Sequence, residues 1–411
     1  MSEHQEPPRT SRRTLLKAAG VGLTGAAVSG AVIATAPSAS AATIVHPGLL
    51  HTSTDINRMA TKVGAGEQPW KDGWAKLTAN AHAANTWTAR PLATVYRGTG
   101  TPENYGQLYN DIHAAYQNAL RYRVTGITAY GTCASNILNA WSSTLSTVTG
   151  TSDKFLAAGL YGYQFANAAE LIRGFSGFNL ARFQMMLRNI FYPMNNDFLR
   201  NHNGNVAGHY WANWDLCNIA SVLAIGVVCD DQAKIDQAID YFKNGVGMGS
   251  INHAIPYVYD AEGLAQFQES GRDQGHATLG IGLLATICEM AWNQGIDLYG
   301  LGSNRIMKCA EYVAKYNLGG TVPYTTYTRV YGPTGGTTST EVQTVISATG
   351  RGELRPIWEL IYNHYARRRG LSVPNVAAFA AKVRPEGGGG NYGPNSGGYD
   401  QLGFGTLTAT R

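Results

Sequence analysis

Leu216-Cys217-Asn218-Ile219-Ala220-Ser221-Val222-Leu223-Ala224-Ile225-Gly226-Val227-Val228 is apolar at almost every position. A helix of this sequence shows apolar side chains in every direction, so it must be buried on every side. Leu279–Met290 reads the same way. Around these two runs lie segments with one apolar face. Asn104–Tyr122 sets Leu108, Ile112, Ala115, Ala119 and Tyr122 at helical spacing. Further helices are predicted over Asp55–Val63, Trp70–His82, Cys133–Val148, Asp153–Phe175, Leu180–Leu199, Trp211–Cys229 and Asp231–Lys243. Four more follow over His276–Asn293, Asn304–Leu318, Leu354–Arg369 and Val373–Lys382. Fully buried helices alternating with amphipathic ones imply two concentric layers. The expected fold is all-α, an α/α toroid or incomplete barrel of about six to seven helical hairpins. Minor β is expected in Thr321–Tyr331, on Val322, Tyr324, Tyr327 and Val330, and near the C-terminus. No composition shift precedes residue 384, so residues 42–411 read as one domain. Its last part, 384–411, is Gly-rich and reads either as an ordered loop packing aromatics or as a floppy tail.

The chain has 411 residues, 44% hydrophobic and only 14% charged, which excludes a charge-rich disordered protein. Net charge is +5; Arg9, Arg12, Arg13 and Lys17 against Glu3 and Glu6 place +2 of it before Ala42. The body keeps about +3, too little for a dedicated nucleic-acid binder. Ser11-Arg12-Arg13-Thr14-Leu15-Leu16-Lys17, an apolar stretch from Ala18 to Ala36 and Ala39-Ser40-Ala41 read as a twin-arginine export signal over residues 1–41. The expected location is therefore extracellular or periplasmic. No later run is apolar enough to span a membrane. Five cysteines without a C-x-x-C spacing sit mostly in apolar helices, so buried free thiols are expected.

Polar chemistry concentrates in two places. The first is His209-Tyr210-Trp211-Ala212-Asn213-Trp214-Asp215, with Asn218 one turn on. Asn213 and Asn218 open a very apolar helix and must find partners there. The second is Gln266-Phe267-Gln268-Glu269-Ser270-Gly271-Arg272-Asp273-Gln274-Gly275-His276. Asp273 is placed to cap the following helix, with His276 in its first turn. Arg272 is read either as part of an ion-pair network with Glu269 and Asp273 or as a fork aimed at an anionic ligand. His276, near that cation and a helix N-terminus, is expected to be a neutral base. There is no H-E-x-x-H, no Cys/His metal spacing, no G-x-S-x-G and no phosphate loop. His202 and His209 are seven apart but lack an acidic third ligand, so neither metal nor cofactor is expected.

The run Gln268–His276, together with Ala291-Trp292-Asn293-Gln294-Gly295-Ile296-Asp297-Leu298-Tyr299, resembles the alginate-lyase-domain superfamily of secreted polysaccharide lyases. So do His46-Pro47-Gly48-Leu49-Leu50-His51, Ile137-Leu138-Asn139-Ala140-Trp141, Arg355-Pro356-Ile357-Trp358-Glu359 and Gly397-Gly398-Tyr399-Asp400-Gln401-Leu402-Gly403. Within it the chain looks most like the glucuronan and mannuronan branch, polysaccharide lyase family 38. The resemblance implies an α/α toroid that cleaves a uronic-acid polymer by β-elimination. It implies catalytic roles for Arg272, His276, Asn213, Tyr210 and His209, and substrate contacts from Asn218, Trp211, Trp214, Gln268, Glu269 and Tyr257. Family 5 enzymes carry a Tyr soon after the His that follows the arginine; here Thr278 and Leu279 follow His276. Tyr210, Tyr257, Tyr259 and Tyr324 are the candidates for that role. The expected partner is an anionic polysaccharide, bound by a monomer, with no nucleic acid and no membrane once the signal is removed. The alternatives are a glycoside hydrolase drawing on Glu262, Glu269 and Asp273, or a uronan-binding protein without activity.

Overall fold

The computed structural model describes residues 43–99, 102–390 and 399–411. Residues 1–41, where the export signal is expected, and residues 391–398 of the Gly-rich segment lie outside that description. Ile44–Arg411 form one compact unit.

Helices α1 (Ser53–Gly64) and α2 (Trp70–Thr78) lead through strand β1 (Thr94–Arg97) into α3 (Tyr105–Thr125). Then come α4 (Thr128–Thr144), strand β2 (Thr147–Gly150), α5 (Lys154–Leu171), α6 (Leu180–Met186) and α7 (Tyr192–Asn201). The chain continues through α8 (Ala212–Val228), α9 (Gln232–Asn244) and the short α10 (Ile251–Ala254). Strands β3 (Tyr257–Tyr259) and β4 (Leu264–Gln266) precede α11 (Gln274–Asn293) and α12 (Leu301–Asn317). Strands β5 (Tyr327–Tyr331) and β6 (Ser339–Gln343) precede α13 (Trp358–Tyr362), α14 (Pro374–Val383) and α15 (Gly405–Thr408).

Helices α3, α5, α8 and α11 pack side by side as the inner layer, and α4, α9 and α12 pair with them as antiparallel outer partners. This is the α/α toroid that the alternation of apolar and amphipathic helices predicts. Because each outer helix returns the chain, the inner helices run parallel and their N-termini gather at one mouth. That mouth collects unpaired N–H groups and the positive ends of the helix dipoles. Along α8 every residue is buried except Trp214, and from Gln274 to Ala291 in α11 every residue is buried except His276. Both exceptions are in the first turn. The inner helices also touch closely. A Cβ on Gly159 of α5 would meet Cys217 Sγ at 2.4 Å, and one on Gly162 would meet Ser221 Oγ at 2.1 Å.

Several boundaries differ from expectation. The helix predicted over Cys133–Val148 ends at Thr144, because Thr147–Gly150 pairs in parallel with Thr94–Arg97. The helix predicted over Leu180–Leu199 is broken by a π-helical turn at Leu187–Phe191. The strand expected from Thr321 begins at Tyr327, and Val330 points to solvent. The described parts of the Gly-rich segment pack: Phe404 and Leu407 are buried, and Arg411 pairs with Asp55 at 3.2 Å and Glu289 at 3.4 Å. All five cysteines are buried and free.

The segment before α1 is tied down by His46. Its Nδ1 meets Glu170 Oε1 at 2.5 Å and its Nε2 meets Asp230 Oδ1 at 2.8 Å. The bond to Glu170 raises the His46 pKa above its ordinary 6.5, outweighing partial burial. The folded protein therefore binds this proton more tightly than the unfolded chain does. The resulting stabilisation is complete below pH 6.5 and is lost as pH rises through the raised folded value. His46→Gln should thus lower the melting temperature clearly at pH 6 and progressively less towards pH 9 (scanning calorimetry, both proteins, one buffer series). An equal loss at both ends would rule out the charged imidazole as the tie.

Candidate active site

The mouth of α8 and the approach to α11 are joined by one carboxylate. Glu269 is fully buried. Its Oε1 accepts from Asn213 N at 2.9 Å, and its two oxygens accept from Asn213 Nδ2 at 2.8 and 3.0 Å. Its Oε2 also accepts from Arg272 Nη1 at 2.8 Å. Beside it, Gln268 Oε1 accepts from Ala212 N at 3.0 Å, while its amide donates to Tyr327 Oη at 2.9 Å. The first turn of α8 is thereby capped from the neighbouring segment instead of from its own sequence. The first turn of α11 is capped locally, as expected. Asp273 Oδ1 accepts from His276 N at 2.7 Å, and Oδ2 meets His276 Nδ1 at 2.6 Å. Burial would raise the Asp273 carboxyl, but its bond with His276 holds it below the usual carboxylate range.

Two guanidinium groups flank the Trp211 ring, Arg272 at 5.2 Å and Arg329 at 4.4 Å from its centroid. Arg329 comes from β5, whose inward face is Tyr327, Arg329 and Tyr331. It pairs with Glu341 of β6 at 3.0 Å, directly opposite in the ladder. It also donates to the carbonyls of Gly208, at 3.3 Å, and His209. Burial lowers its pKa, and the like charge of Arg272 adds to this against the opposing pull of Glu341. Arg329 spends its nitrogens on these partners, whereas Arg272 makes a single hydrogen bond among the described residues and stays partly exposed. Its Nε lies 3.7 Å from Asp273 Oδ2, so the ion-pair network with Glu269 and Asp273 is present, and at that distance Nε and Nη2 keep their hydrogen-bonding capacity as a carboxylate-sized donor set.

The two histidines are not equivalent. His209 Nδ1 accepts from Gly332 N at 3.0 Å, so the neutral ring carries its proton on Nε2 and acts as a donor. Burial, and then Arg329, lowers its pKa. His276 turns Nδ1 to a carboxylate, which leaves Nε2 as the free lone pair of the neutral ring, with no hydrogen bond among the described residues. His276 is the ring built to take a proton.

The model of the family described as alginate lyase matches residues 63–321. The chain belongs to the alginate lyase family. Among solved structures, alginate lyase A1-III from Sphingomonas species A1 shares 15% identity at a TM-score of 0.58, over 90% of this chain and 98% of that one. A histidine-to-alanine variant of A1-III complexed with a tetrasaccharide gives 16% identity and a TM-score of 0.55, over 89% and 97%. An alginate lyase from Bacteroides ovatus gives 13% and 0.50, over 83% and 96%. At these identities the likeness is one of fold. No curated protein matches the chain.

The lyase brings together Trp211, Asn213, Gln268, Glu269, Arg272 and His276, with His209 alongside through Arg329. It does not bring all of the expected residues to the surface. Gln268, Glu269 and Asn218 are sealed from solvent, so they support the site and do not touch a sugar. Asn218 is tied to Asn195 at 2.7 Å and to the Trp214 carbonyl at 2.8 Å. Asn213 spends its amide on Glu269. Tyr210 packs on Trp214, with ring centroids 4.5 Å apart, and its hydroxyl accepts from Asn203 at 3.0 Å. Tyr257 donates to the Thr326 carbonyl at 3.1 Å, and Tyr259 to Gln266 at 2.8 Å. Tyr324 donates to the Gln343 carbonyl at 3.1 Å, and a Cβ on Gly271, the neighbour of Arg272, would lie 2.3 Å from its hydroxyl. His202 meets Tyr241 and Asp215, and no metal-holding group of three or more His, Cys, Asp or Glu occurs among the described residues. Sequence reasoning missed Tyr327, Arg329 and Tyr331. Their i, i+2, i+4 spacing was the available signal.

If Glu269 holds the site together, its loss should be severe. Glu269→Ala leaves buried donors unpaired and should cost about 2–4 kcal/mol in urea unfolding. Glu341→Ala, at a surface-exposed carboxylate, should cost under about 1 kcal/mol. Equal costs would contradict the assigned roles.

Proposed function

We propose that this lyase acts on a mannuronate-rich alginate or a glucuronan, and that Arg272 neutralises the C6 carboxylate of the residue being cleaved. The observation that carries the reading is the pair of guanidiniums over Trp211, of which only Arg272 has donors to spare. Neutralising that carboxylate makes the C5 proton acidic and stabilises the enolate-like charge that forms on its removal. His276 Nε2 takes the C5 proton, with Asp273 holding the ring. Tyr324, turning its hydroxyl from the Gln343 carbonyl, donates to the leaving O4. Burial pushes its pKa up to about 12, so it holds its proton until O4 takes it. In the two β-linked sugars H5 and O4 have the same relation, so a single Tyr acting as base and acid in a syn elimination is the second form of this mechanism. Asn213 and Glu269 keep Arg272 aligned, and Trp211, Trp214 and Tyr257 are the aromatic faces on offer to the sugar.

The hydrolase reading needs two carboxylates facing across the bond. Glu269 is sealed and bonded, Asp273 is engaged with His276, and Glu262 lies exposed on the turn between β3 and β4. The lyase reading leaves these groups as supports. The Arg12-Arg13 start and the Ala-x-Ala site support export of a folded monomer. No described helix is long and apolar enough to cross a membrane.

Incubation with polymannuronate, polyguluronate and glucuronan should raise ultraviolet absorbance, from a 4,5-unsaturated uronate, on one of the β-linked polymers. Arg272→Ala and Tyr324→Phe should each lose at least about a hundredfold in kcat; Tyr324→Phe should keep the wild-type melt, whereas Arg272→Ala also lowers it, because buried Glu269 loses its cation. New reducing ends without absorbance would mean hydrolysis, and a Tyr324→Phe variant near wild-type rate would move the proton donor elsewhere.

A further inference from the structure

Glu353 is 9% exposed, and among the described residues it is the only carboxyl with both oxygens buried and without a hydrogen bond. Its one ion pair is with Arg355, whose Nη2 lies 3.7 Å from Oε2. Other sealed carboxylates are better supplied. Glu269 meets Asn213 and Arg272, Glu289 meets Arg368 at 2.7 Å, and Glu359 meets Arg384 at 2.5 Å. A carboxyl that supports a fold is held by donors. One left without them is unfavourable unless its charge serves a neighbour.

The neighbour is the first turn of α11. Glu353 lies in the segment 347–355, which is pinned over that turn. The Thr349 carbonyl accepts from Gln274 N at 2.8 Å, and the Ser347 carbonyl from Gln274 Nε2 at 3.0 Å. Arg355 Nη2, the nitrogen that faces Glu353, donates to the Gly275 carbonyl at 3.3 Å, and Nε donates to Thr278 Oγ1 at 3.3 Å. His276 stands between those two residues. A fixed guanidinium therefore backs the turn that carries the base. Arg272 is a second cation, 3.7 Å from the Asp273 carboxylate that holds the ring. Both oppose the positive charge His276 acquires when it takes a proton.

The charged groups that face Glu353 are Arg355 of its own segment, Asp273 and His276 at the start of α11, and Asp400 of the C-terminal segment. From α12 comes the neutral Asn317, whose Oδ1 accepts from Gly352 N at 2.8 Å. Asp273 is engaged with His276. Asp400 holds Arg355 at 3.0 Å but is shared, since it also faces the buried Arg97. Glu353 is the carboxyl left to offset the cation behind the base.

We propose that Glu353 is a positioning residue for the elimination: its carboxylate offsets Arg355 and steadies the imidazolium that His276 becomes on taking the C5 proton. This rests on the lyase reading above. Glu353 is sealed, so it acts through His276 and touches no sugar. Burial makes its own carboxyl harder to ionise and Arg355 only partly offsets this, so the support is lost in acid.

The test compares Glu353→Gln and Glu353→Asp in the full chain, on whichever uronan the wild type cleaves. In Glu353→Gln the acid limb of the kcat/KM profile should move to lower pH by at least about half a unit, since His276 gives up its proton more readily. The kcat plateau should fall at least about threefold and KM change by less than about twofold. Glu353→Asp keeps the charge and should restore most of both. The melting temperature of Glu353→Gln should hold, since no hydrogen bond is lost. An unmoved acid limb overturns the role, and so does a loss confined to KM or to the melt. Should Glu353→Gln fail to fold, Glu353→Ala is read in the same way; if neither folds, the carboxylate is a fold support and the proposal falls. Histidine NMR of the free protein, with the His276 ring assigned by His276→Gln, separates this from the lyase reading. Wild type silent on every uronan sinks that reading alone. A His276 titration midpoint lower in Glu353→Gln than in wild type still upholds the coupling, and equal midpoints remove it.

Discussion

The site hangs on the Glu269 carboxylate. A carboxylate with no exposed surface is tolerated only when its oxygens are met by donors, and here a backbone N–H, a side-chain amide and a guanidinium meet them. Those three donors come from the first turn of α8 and from Arg272, just before α11. One buried anion thus sets the distance between two inner helices at their positive ends. The same device recurs elsewhere in the toroid. Glu386 accepts from Trp358 N and Glu359 N at the start of α13, and Glu311 from Asn375 N and Val376 N at the start of α14. Carboxyl groups borrowed from other segments take the place of local caps on these helices, though burial and the neighbouring Glu359 push the Glu386 pKa up to about 8.

The layers of the fold were legible because burial on every face leaves an unmistakable apolar run, as in Leu216–Val228. The Asp273 cap was legible too, since a cap is a local event. What was not legible depends on contacts distant in sequence. Residues 145–148 continue the apolar spacing of α4, yet Thr147 and Val148 pair with Thr94 and Val95 as the start of a strand. Minor β was expected over Thr321–Tyr331, on Val322, Tyr324, Tyr327 and Val330, without a face assigned. The structure turns the valine out and the arginine in, because Trp211 offers that cation a ring. The polar run from Gln266 to His276 shows chemistry without showing which side is wet. Only the packed structure separates sealed Gln268 and Glu269 from the partly exposed Arg272 and His276.

That separation carries a general argument about this mouth. A group that only supports the fold gains nothing from unused hydrogen-bonding capacity, so folding favours its full satisfaction. Glu269 and Gln268 meet that standard. A group that must receive a ligand has to keep capacity in reserve, and the reserve is unfavourable until the ligand arrives. Arg272 keeps part of its fork and His276 keeps Nε2. Glu353 belongs with them on the anionic side. Its two oxygens are buried without a hydrogen bond, 3.7 Å from Arg355 at the nearest, and burial raises its pKa despite that cation. Burial disfavours its charged form, and the Arg355 cation only partly offsets this. The spare donors of Arg272 lie where the helix dipoles also point. An anionic chain entering this mouth therefore meets a field that the fold has already built and has not discharged.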